Sequence, residues 1–274
     1  MMFDIDWNPI VLSIGTLEIR WYGVMVVLAV ITVIGFSLVE AKRKGFSQDV
    51  VWDAGLWAVI GGIIGARLLH IIDKWEYYLN QPAQILNFGG LAIWGAVLGG
   101  LLAILIYCMV KKLSFWQAGD IAAPGAILGQ AIGRVGCLVN GCCYGLTCEL
   151  PFAVIYQNPN SFAPQGVPLY PTQLFHIIWN LVGFGILWAL RKRLRPDGSL
   201  FLVWLIFFGA GDFFIRFFRE NEAFLLNLPQ AQVLDILIVA SATVILIARF
   251  IQYKRVKPAT EALDINRSGQ NPEG

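Results

Sequence analysis

Three arginines stand inside stretches that are otherwise apolar: Arg67, Arg134 and Arg216. A guanidinium in hydrocarbon is costly, so it is kept where it pairs or binds something. Gln130, Arg134 and Cys137 follow one another at i, i+4 and i+7, which puts them on one face of a helix. Asp212 and Arg216 are four apart, so they can shield each other along one face. At 1.5 Å of rise per residue, Arg67 stands roughly 24 Å, Arg134 roughly 21 Å and Arg216 roughly 27 Å from the inner end of its own apolar run. All three reach the outer third of a bilayer, the level at which Tyr22, Trp94, Gln173 and His176 also fall. Arginine grips phosphate oxygens bidentately. Such a cluster at headgroup depth fits an anionic phospholipid held from the outer leaflet. Arginines also snorkel or pair locally, and for Arg216, with Asp212 one turn away, both readings stand. Arg134 has no acid within a turn of its own helix, and it is the one read as functional.

Five cysteines occur, four of them in the run CLVNGCCYGLTC from Cys137 to Cys148. Cys108 stands apart in an apolar run and reads as a small core residue. The run permits a structural disulfide joining Cys137 or Cys142 to Cys143 or Cys148. It also permits a metal or redox centre, although the spacing is not a standard zinc or cluster pattern. A thiol taking part in group transfer is the third reading. No metal and no cofactor is assigned from the sequence.

The elements that position these groups follow from composition. Of 274 residues, 57% are apolar and 14% are charged, against about 25% charged in soluble domains. The mean hydropathy is +0.66. A soluble core of this length could not hide so much apolar surface, so a soluble enzyme, a disordered chain and a nucleic-acid binder are excluded. Seven windows are long and apolar enough to span: 21–40, 51–72, 89–110, 119–139, 172–190, 199–218 and 232–252. The fourth is the weakest, because Asp120, Gln130 and Arg134 interrupt it. The expected fold class is therefore all-α, a polytopic membrane protein of about seven transmembrane helices.

Basic residues sort to one side. Lys42, Arg43 and Lys44 follow the first window, Lys111 and Lys112 the third, Arg191, Lys192, Arg193 and Arg195 the fifth, and Arg249, Lys254, Arg255 and Lys257 the last. The positive-inside rule then puts the N-terminus outside and the C-terminus in the cytoplasm. Residues 1–257 read as one transmembrane domain, with 140–171 as a small outer element and 258–274 as a polar cytoplasmic tail. The first twenty residues lack the basic start of a cleavable signal, so the first span is expected to be retained. Glycines at 125, 129 and 133, at 61 and 65, and at 95 and 99 are spaced to let helices approach closely.

Taken together, these motifs resemble one family, the bacterial prolipoprotein diacylglyceryl transferases. The segment Gly133-Arg134-Val135-Gly136-Cys137-Leu138-Val139-Asn140-Gly141-Cys142-Cys143-Tyr144-Gly145 resembles the family signature Gly-Arg-x-Gly-Asn-x-x-Asn-x-Glu-x-x-Gly, with Asp120, Pro124, Gly129 and Gln130 as its lead-in. Arg20-Trp21-Tyr22-Gly23, Gly65-Ala66-Arg67, Gly89 to Gly95, Tyr170 to Leu174 and Gln232 resemble its other motifs, in the same order over residues 1–255. The resemblance implies transfer of an sn-1,2-diacylglyceryl group from phosphatidylglycerol to the lipobox cysteine of a prolipoprotein, with release of glycerol phosphate, in the bacterial inner membrane. Its implied partners are phosphatidylglycerol, prolipoprotein signal peptides and membrane lipid. Arg134 is then the phosphate clamp, with Arg216 beside it and Arg67, Gln130, Gln173, Trp94 and Asp212 lining the substrate site. Tyr22, Asn140 and Gly145 match positions associated with lipid and acceptor binding.

The sequence departs from that pattern in several places. Trp94 stands where the family usually has His, Cys137 replaces the signature Asn, and Cys142 replaces its acid. Cys143 adds a third thiol. His176 stands where an acid is common, and Asp212 and Arg216 exchange the usual order of charges. His70, one turn beyond Arg67, or a nearby tyrosine is the expected replacement base. The alternatives are a divergent relative with another lipid donor or acceptor, a membrane thiol-redox or metal protein, and a small-solute transporter. The charges gather at one leaflet and do not line a path, which argues against the last.

Overall fold

The structure is a computed structural model that describes residues 2–15, 17–81, 93–219 and 228–268, with the side chains of 17, 93, 94 and 256–268 outside the description. Among the described residues are eight α-helices: α1 (Trp21–Lys44), α2 (Gln48–Asp73), α3 (Trp75–Asn80), α4 (Ile93–Val110), α5 (Phe115–Asn140), α6 (Thr172–Leu190), α7 (Ser199–Ile215) and α8 (Gln230–Ser268). Five short strands join them: β1 (Phe3–Ile5), β2 (Ile10–Ile14), β3 (Leu17–Arg20), β4 (Val154–Tyr156) and β5 (Pro168–Leu169). Six helices are long and apolar enough to cross a membrane, and α4 adds a shorter apolar one over Gly95–Val110. The polytopic helical class expected from composition is thus the class observed. The start of the expected third span, with the Gly89–Ala92 part of its motif, lies outside the described residues, and so does the side chain of Trp94. Helix α8 runs through 258–268, the stretch read from sequence as a tail.

Two compact units divide the chain, Met1–Val33 with Ala122–Gly274, and Ile34–Ile121. In the second unit α2 packs along α4 through glycine. A Cβ on Gly65 would meet the Gly95 carbonyl and the Gly99 Cα, and one on Gly61 would meet Ala103 and the Gly99 carbonyl. Small residues let two backbones touch where lipid supplies no hydrophobic drive for association. The C-terminal end of α1 stops for local reasons. Lys42, Arg43 and Lys44 face the negative end of the helix dipole, and Gly45 turns left-handed at φ +79°. Ser47 then caps α2 by accepting from the Asp49 amide at 3.2 Å. Glu40 is fully buried there and accepts from Arg43 Nε at 2.8 Å and Nη2 at 2.6 Å. Lys44 Nζ pairs with Asp120 at 3.1 Å.

In the first unit α6 packs on α7 and α7 on α8. Trp179 stacks on Phe207 with ring centroids 4.5 Å apart and donates from Nε1 to the Phe207 carbonyl at 2.9 Å. Half of the apolar window of α5 is buried, against 6% of that of α1, so α5 is the enclosed helix and its polar residues are sheltered. Helices α1 and α8 leave apolar side chains such as Val27, Ile31, Leu237 and Val244 exposed, as suits helices surrounded by lipid. Outside the spans, β1 pairs in parallel with β4, and β4 pairs antiparallel with β5. Val154, Tyr156, Ala163 and Leu169 form the core of this element. The N-terminal strand therefore belongs with residues 140–171, a pairing that strands of two or three residues do not announce in a sequence.

Of the glycines on α5, Gly129 packs against Val33 and Ala29 of α1 and Gly136 against Met25 and Tyr22, whereas a Cβ on Gly133 would meet no atom within 4 Å. Gly65→Val should therefore overpack the α2–α4 contact and cost roughly 1–3 kcal/mol. Gly133→Ala should leave stability equal or raise it by up to about 1 kcal/mol through helix propensity. Thermal unfolding of both variants in detergent measures the contrast.

Candidate functional site

Asp212 is the centre of the site. It is buried on α7, and its Oδ2 accepts from Arg216 Nε at 2.5 Å. Its Oδ1 faces Arg134 Nη2 of α5 and His176 Nε2 of α6, each at 3.6 Å. Buried Asp235 of α8 approaches Arg216 Nε at 3.7 Å. One carboxylate thus answers cationic or imidazole groups from three helices, and a second acid on a fourth helix supports it. Arg216 also caps the end of α7, where the helix dipole favours a cation. Arg134 is held less tightly. Its side chain is 21% exposed, and its 3.6 Å approach to Asp212 is too long for a hydrogen bond. Its donors remain available to an incoming anion.

Next to this cluster, α5 ends in a turn that gathers the thiols. The Gly141 amide donates to Leu138 at 3.3 Å and the Cys142 amide to Cys137 at 3.1 Å, with Gly141 left-handed at φ +69°. This is a Schellman ending, and it folds Cys142 back toward Cys137. Cys143 is itself left-handed at φ +61°, an uncommon state for a residue with a Cβ. The Sγ atoms of Cys137, Cys142 and Cys143 all lie within 4.8 Å of one another. All five cysteines are free thiols, and Cys148, buried nearby in sequence, is not one of the three.

The turn is pinned from α6. Thr172 Oγ1 donates to the Cys143 carbonyl at 2.7 Å, and Gln173 Nε2 donates to the Cys142 carbonyl at 2.8 Å and to Tyr156 Oη at 3.3 Å. Tyr156 Oη donates in turn to the Leu138 carbonyl at 3.0 Å. Burial raises the Tyr156 phenol above its usual value, so it stays protonated as that donor. Hydrogen bonds from the Cys137 and Cys142 thiols, aided by the charges of Arg219 and Arg134, hold the Cys143 thiol well below its ordinary value.

The structure brings Arg134, Arg216, Asp212 and the three cysteines into the first unit together with the other residues expected there. Tyr22 opens α1 against Gly136 and lies within electrostatic reach of the three thiols and Arg134. Gln130 Oε1 accepts from Trp204 Nε1 at 3.4 Å. Asn140 Oδ1 accepts from Arg20 Nη1 at 3.3 Å, and Arg20 lies over the Phe162 ring at 4.4 Å. Gly145 is where β-element, α6 and the end of α7 close on one another, since a Cβ there would meet Tyr170 Cβ, the Phe218 carbonyl and Thr172 Cγ2. Arg67 and His70 belong to the second unit. Arg67 lies over the Tyr78 ring at 5.3 Å, and the His70 ring meets Tyr78 edge-on at 6.1 Å. Three contributors were not expected. Asp235 is an acid inside an apolar run, so the argument that singled out Asp212 applies to it as well. Thr172 lies within the Tyr170 to Leu174 motif but was given no role there, and Tyr156, which acts through a hydrogen bond to the carbonyl of a distant turn, is marked by no sequence pattern.

Apolar helices around a sheltered arginine–carboxylate cluster, with a pinned thiol turn beside it, define a polytopic membrane protein with a charged centre. The family model described as prolipoprotein diacylglyceryl transferase matches residues 9–248. The chain belongs to the prolipoprotein diacylglyceryl transferase family. It is 43% identical over 249 residues to a phosphatidylglycerol–prolipoprotein diacylglyceryl transferase of Dehalococcoides mccartyi, covering 90% of this chain and 96% of the relative. It is 32% identical to the protein of that name from Listeria welshimeri and 33% identical to that from Listeria monocytogenes, with 91% of each chain covered.

Removing the Asp212 carboxylate should be the most damaging single change in this cluster. Asp212→Leu leaves buried cationic groups uncompensated and should cost roughly 3–5 kcal/mol, with Asp212→Asn costing less. Thermal unfolding in detergent, with the three proteins side by side, gives the order.

Proposed function

We propose that this chain is a multi-pass enzyme of the bacterial inner membrane that transfers the sn-1,2-diacylglyceryl group of phosphatidylglycerol to the lipobox cysteine of prolipoproteins. The acceptor sulfur displaces glycerol phosphate from the terminal glyceryl carbon and becomes a thioether. The leaving group gains a negative charge as the carbon–oxygen bond breaks, so catalysis needs donors already aimed at it. Arg134 is that clamp. The observation that carries this assignment is its geometry: it is half-sheltered on the enclosed helix, oriented by Asp212 at 3.6 Å, and not consumed by a hydrogen bond to it.

The other roles follow from position. Arg216, bound to Asp212 and approached by Asp235, fixes the carboxylate that orients Arg134. Gln130, Asn140, Gly145, Gln173 and Tyr22 shape the lipid and acceptor sites around the end of α5, and Arg67 and Trp94 are assigned to lipid binding. The acceptor is the signal-peptide segment of a prolipoprotein, which arrives with its cysteine at the level of the thiol turn. Its thiolate must come from a base or from a field that lowers the thiol pKa. His70 and Tyr22 are the residues proposed for the first of these.

Arg134→Ala should lower kcat by about 10²–10³-fold, the loss typical when one donor to a developing oxyanion is removed. Arg134→Lys should recover only part of it, because an ammonium cannot make the bidentate contact. Purified protein, phosphatidylglycerol and a lipobox peptide, with the diacylglyceryl adduct on the peptide cysteine quantified by mass spectrometry, provide the measurement. Full transfer by Arg134→Ala would remove the clamp assignment.

A further inference from the structure

We propose that Cys137, Cys142 and Cys143 form a three-thiolate zinc site whose open fourth position takes the acceptor cysteine; the catalytic half of this inference rests on the transferase reading above. One structural fact points to a cation. The three Sγ atoms lie within 4.8 Å of one another. Zinc–sulfur bonds of about 2.3 Å in tetrahedral geometry put thiolates roughly 3.8 Å apart, so the three need close by only about an ångström. The chain also spends backbone energy to bring them there. Gly141 and Cys143 are both left-handed, and the second of these costs on the order of 1–3 kcal/mol for a residue with a side chain. Thr172 and Gln173 hold the Cys143 and Cys142 carbonyls, so the turn is fixed without use of its sulfurs.

A disulfide would not need this arrangement. It joins two sulfurs, and here three converge while Cys148 stays apart. Thiolate donors select zinc among the common hard and borderline divalent cations. Three thiolates around one zinc carry one net negative charge, and Arg134, a turn before Cys137 on the same helix, supplies the opposite sign nearby. Three protein ligands with an open position are the pattern of zinc sites that act on a substrate, whereas structural sites are closed by a fourth ligand.

The site supplies the activated thiolate that the reaction needs. A thiol that coordinates zinc is deprotonated outright, with its proton released to water. The zinc-held sulfur forms its bond to the terminal glyceryl carbon as that carbon's bond to the phosphate oxygen breaks. The electron pair leaves with glycerol phosphate, whose new charge meets Arg134. The thioether produced is neutral and a poor ligand, so it departs and water or the next acceptor thiol takes the fourth position. No electron is gained or lost overall.

The test starts from the full-length protein in detergent with phosphatidylglycerol, stripped by chelation under reducing conditions and reloaded with zinc or with cobalt(II) as a spectroscopic stand-in. The expected result is one metal per chain, with sulfur-to-cobalt charge-transfer absorption that is lost in Cys142→Ser and Cys143→Ser and kept in Cys148→Ser. Adding a lipobox peptide should change the cobalt spectrum, and its Cys→Ser analogue should not. Transfer should fall by about 10²-fold or more in the stripped protein and return with zinc, in keeping with the usual contribution of an activated nucleophile. Failure to bind zinc at micromolar concentration, or an intact mass lower by two hydrogens that marks a disulfide, would overturn the site. Transfer that survives stripping and is lost in His70→Ala would overturn its catalytic role and leave the transferase reading standing. A peptide-responsive cobalt spectrum in a protein that transfers nothing in any metal state would keep the site, and the failure would fall on the transferase reading.

Discussion

A carboxylate enclosed among helices can remain ionised only if cations or donors surround it, and Asp212 is enclosed in this way. Its two oxygens are shared between Arg216 on its own helix, Arg134 on α5 and His176 on α6, with Asp235 on α8 balancing Arg216 from behind. The requirement works in both directions. Without the acid the arginines could not stay at that depth, and without the arginines the acid would be too costly to bury. The cluster therefore ties α5, α6, α7 and α8 into one arrangement. Of the two arginines, Arg134 has the longer contact with Asp212 and is held less tightly.

The thiol turn depends on that arrangement. Its position is fixed by where α5 stops, and α5 stops where Gly141 can go left-handed and return the Cys142 amide to Cys137. Its orientation is fixed by α6, whose first two residues reach the Cys143 and Cys142 carbonyls. Gln173 is almost fully buried, and its bonds to a carbonyl and a phenol let an amide side chain occupy that place. An anion-receptive arginine and a cluster of soft nucleophiles are thus held on one rigid helix end.

Much of the fold was legible along the chain. Spans of about twenty apolar residues and the asymmetry of Lys and Arg are properties of sequence windows, and the helices observed follow them closely. The weakest window, the one broken by Asp120, Gln130 and Arg134, became the most enclosed helix, because a helix that faces other helices can carry polar groups that lipid would reject. Glycine spacing correctly marked the α2–α4 contact. On α5 it marked only part of the contact, since Gly133 faces open space while Gly136, one step off the four-residue pattern, takes the close approach.

The residues themselves determined the membrane class, the basic helix ends, the Asp212–Arg216 pair and the presence of four cysteines in one short run, because each depends on neighbours within a turn or on composition. Which acid answers Arg134 was decided only by tertiary structure: Asp212 is 78 positions away in number and meets it because α5 and α7 are packed in one cluster. Tertiary structure also decided that three thiols converge and the fourth does not. That outcome depends on two left-handed residues and on hydrogen bonds from α6, interactions between parts of the chain that no local spacing encodes.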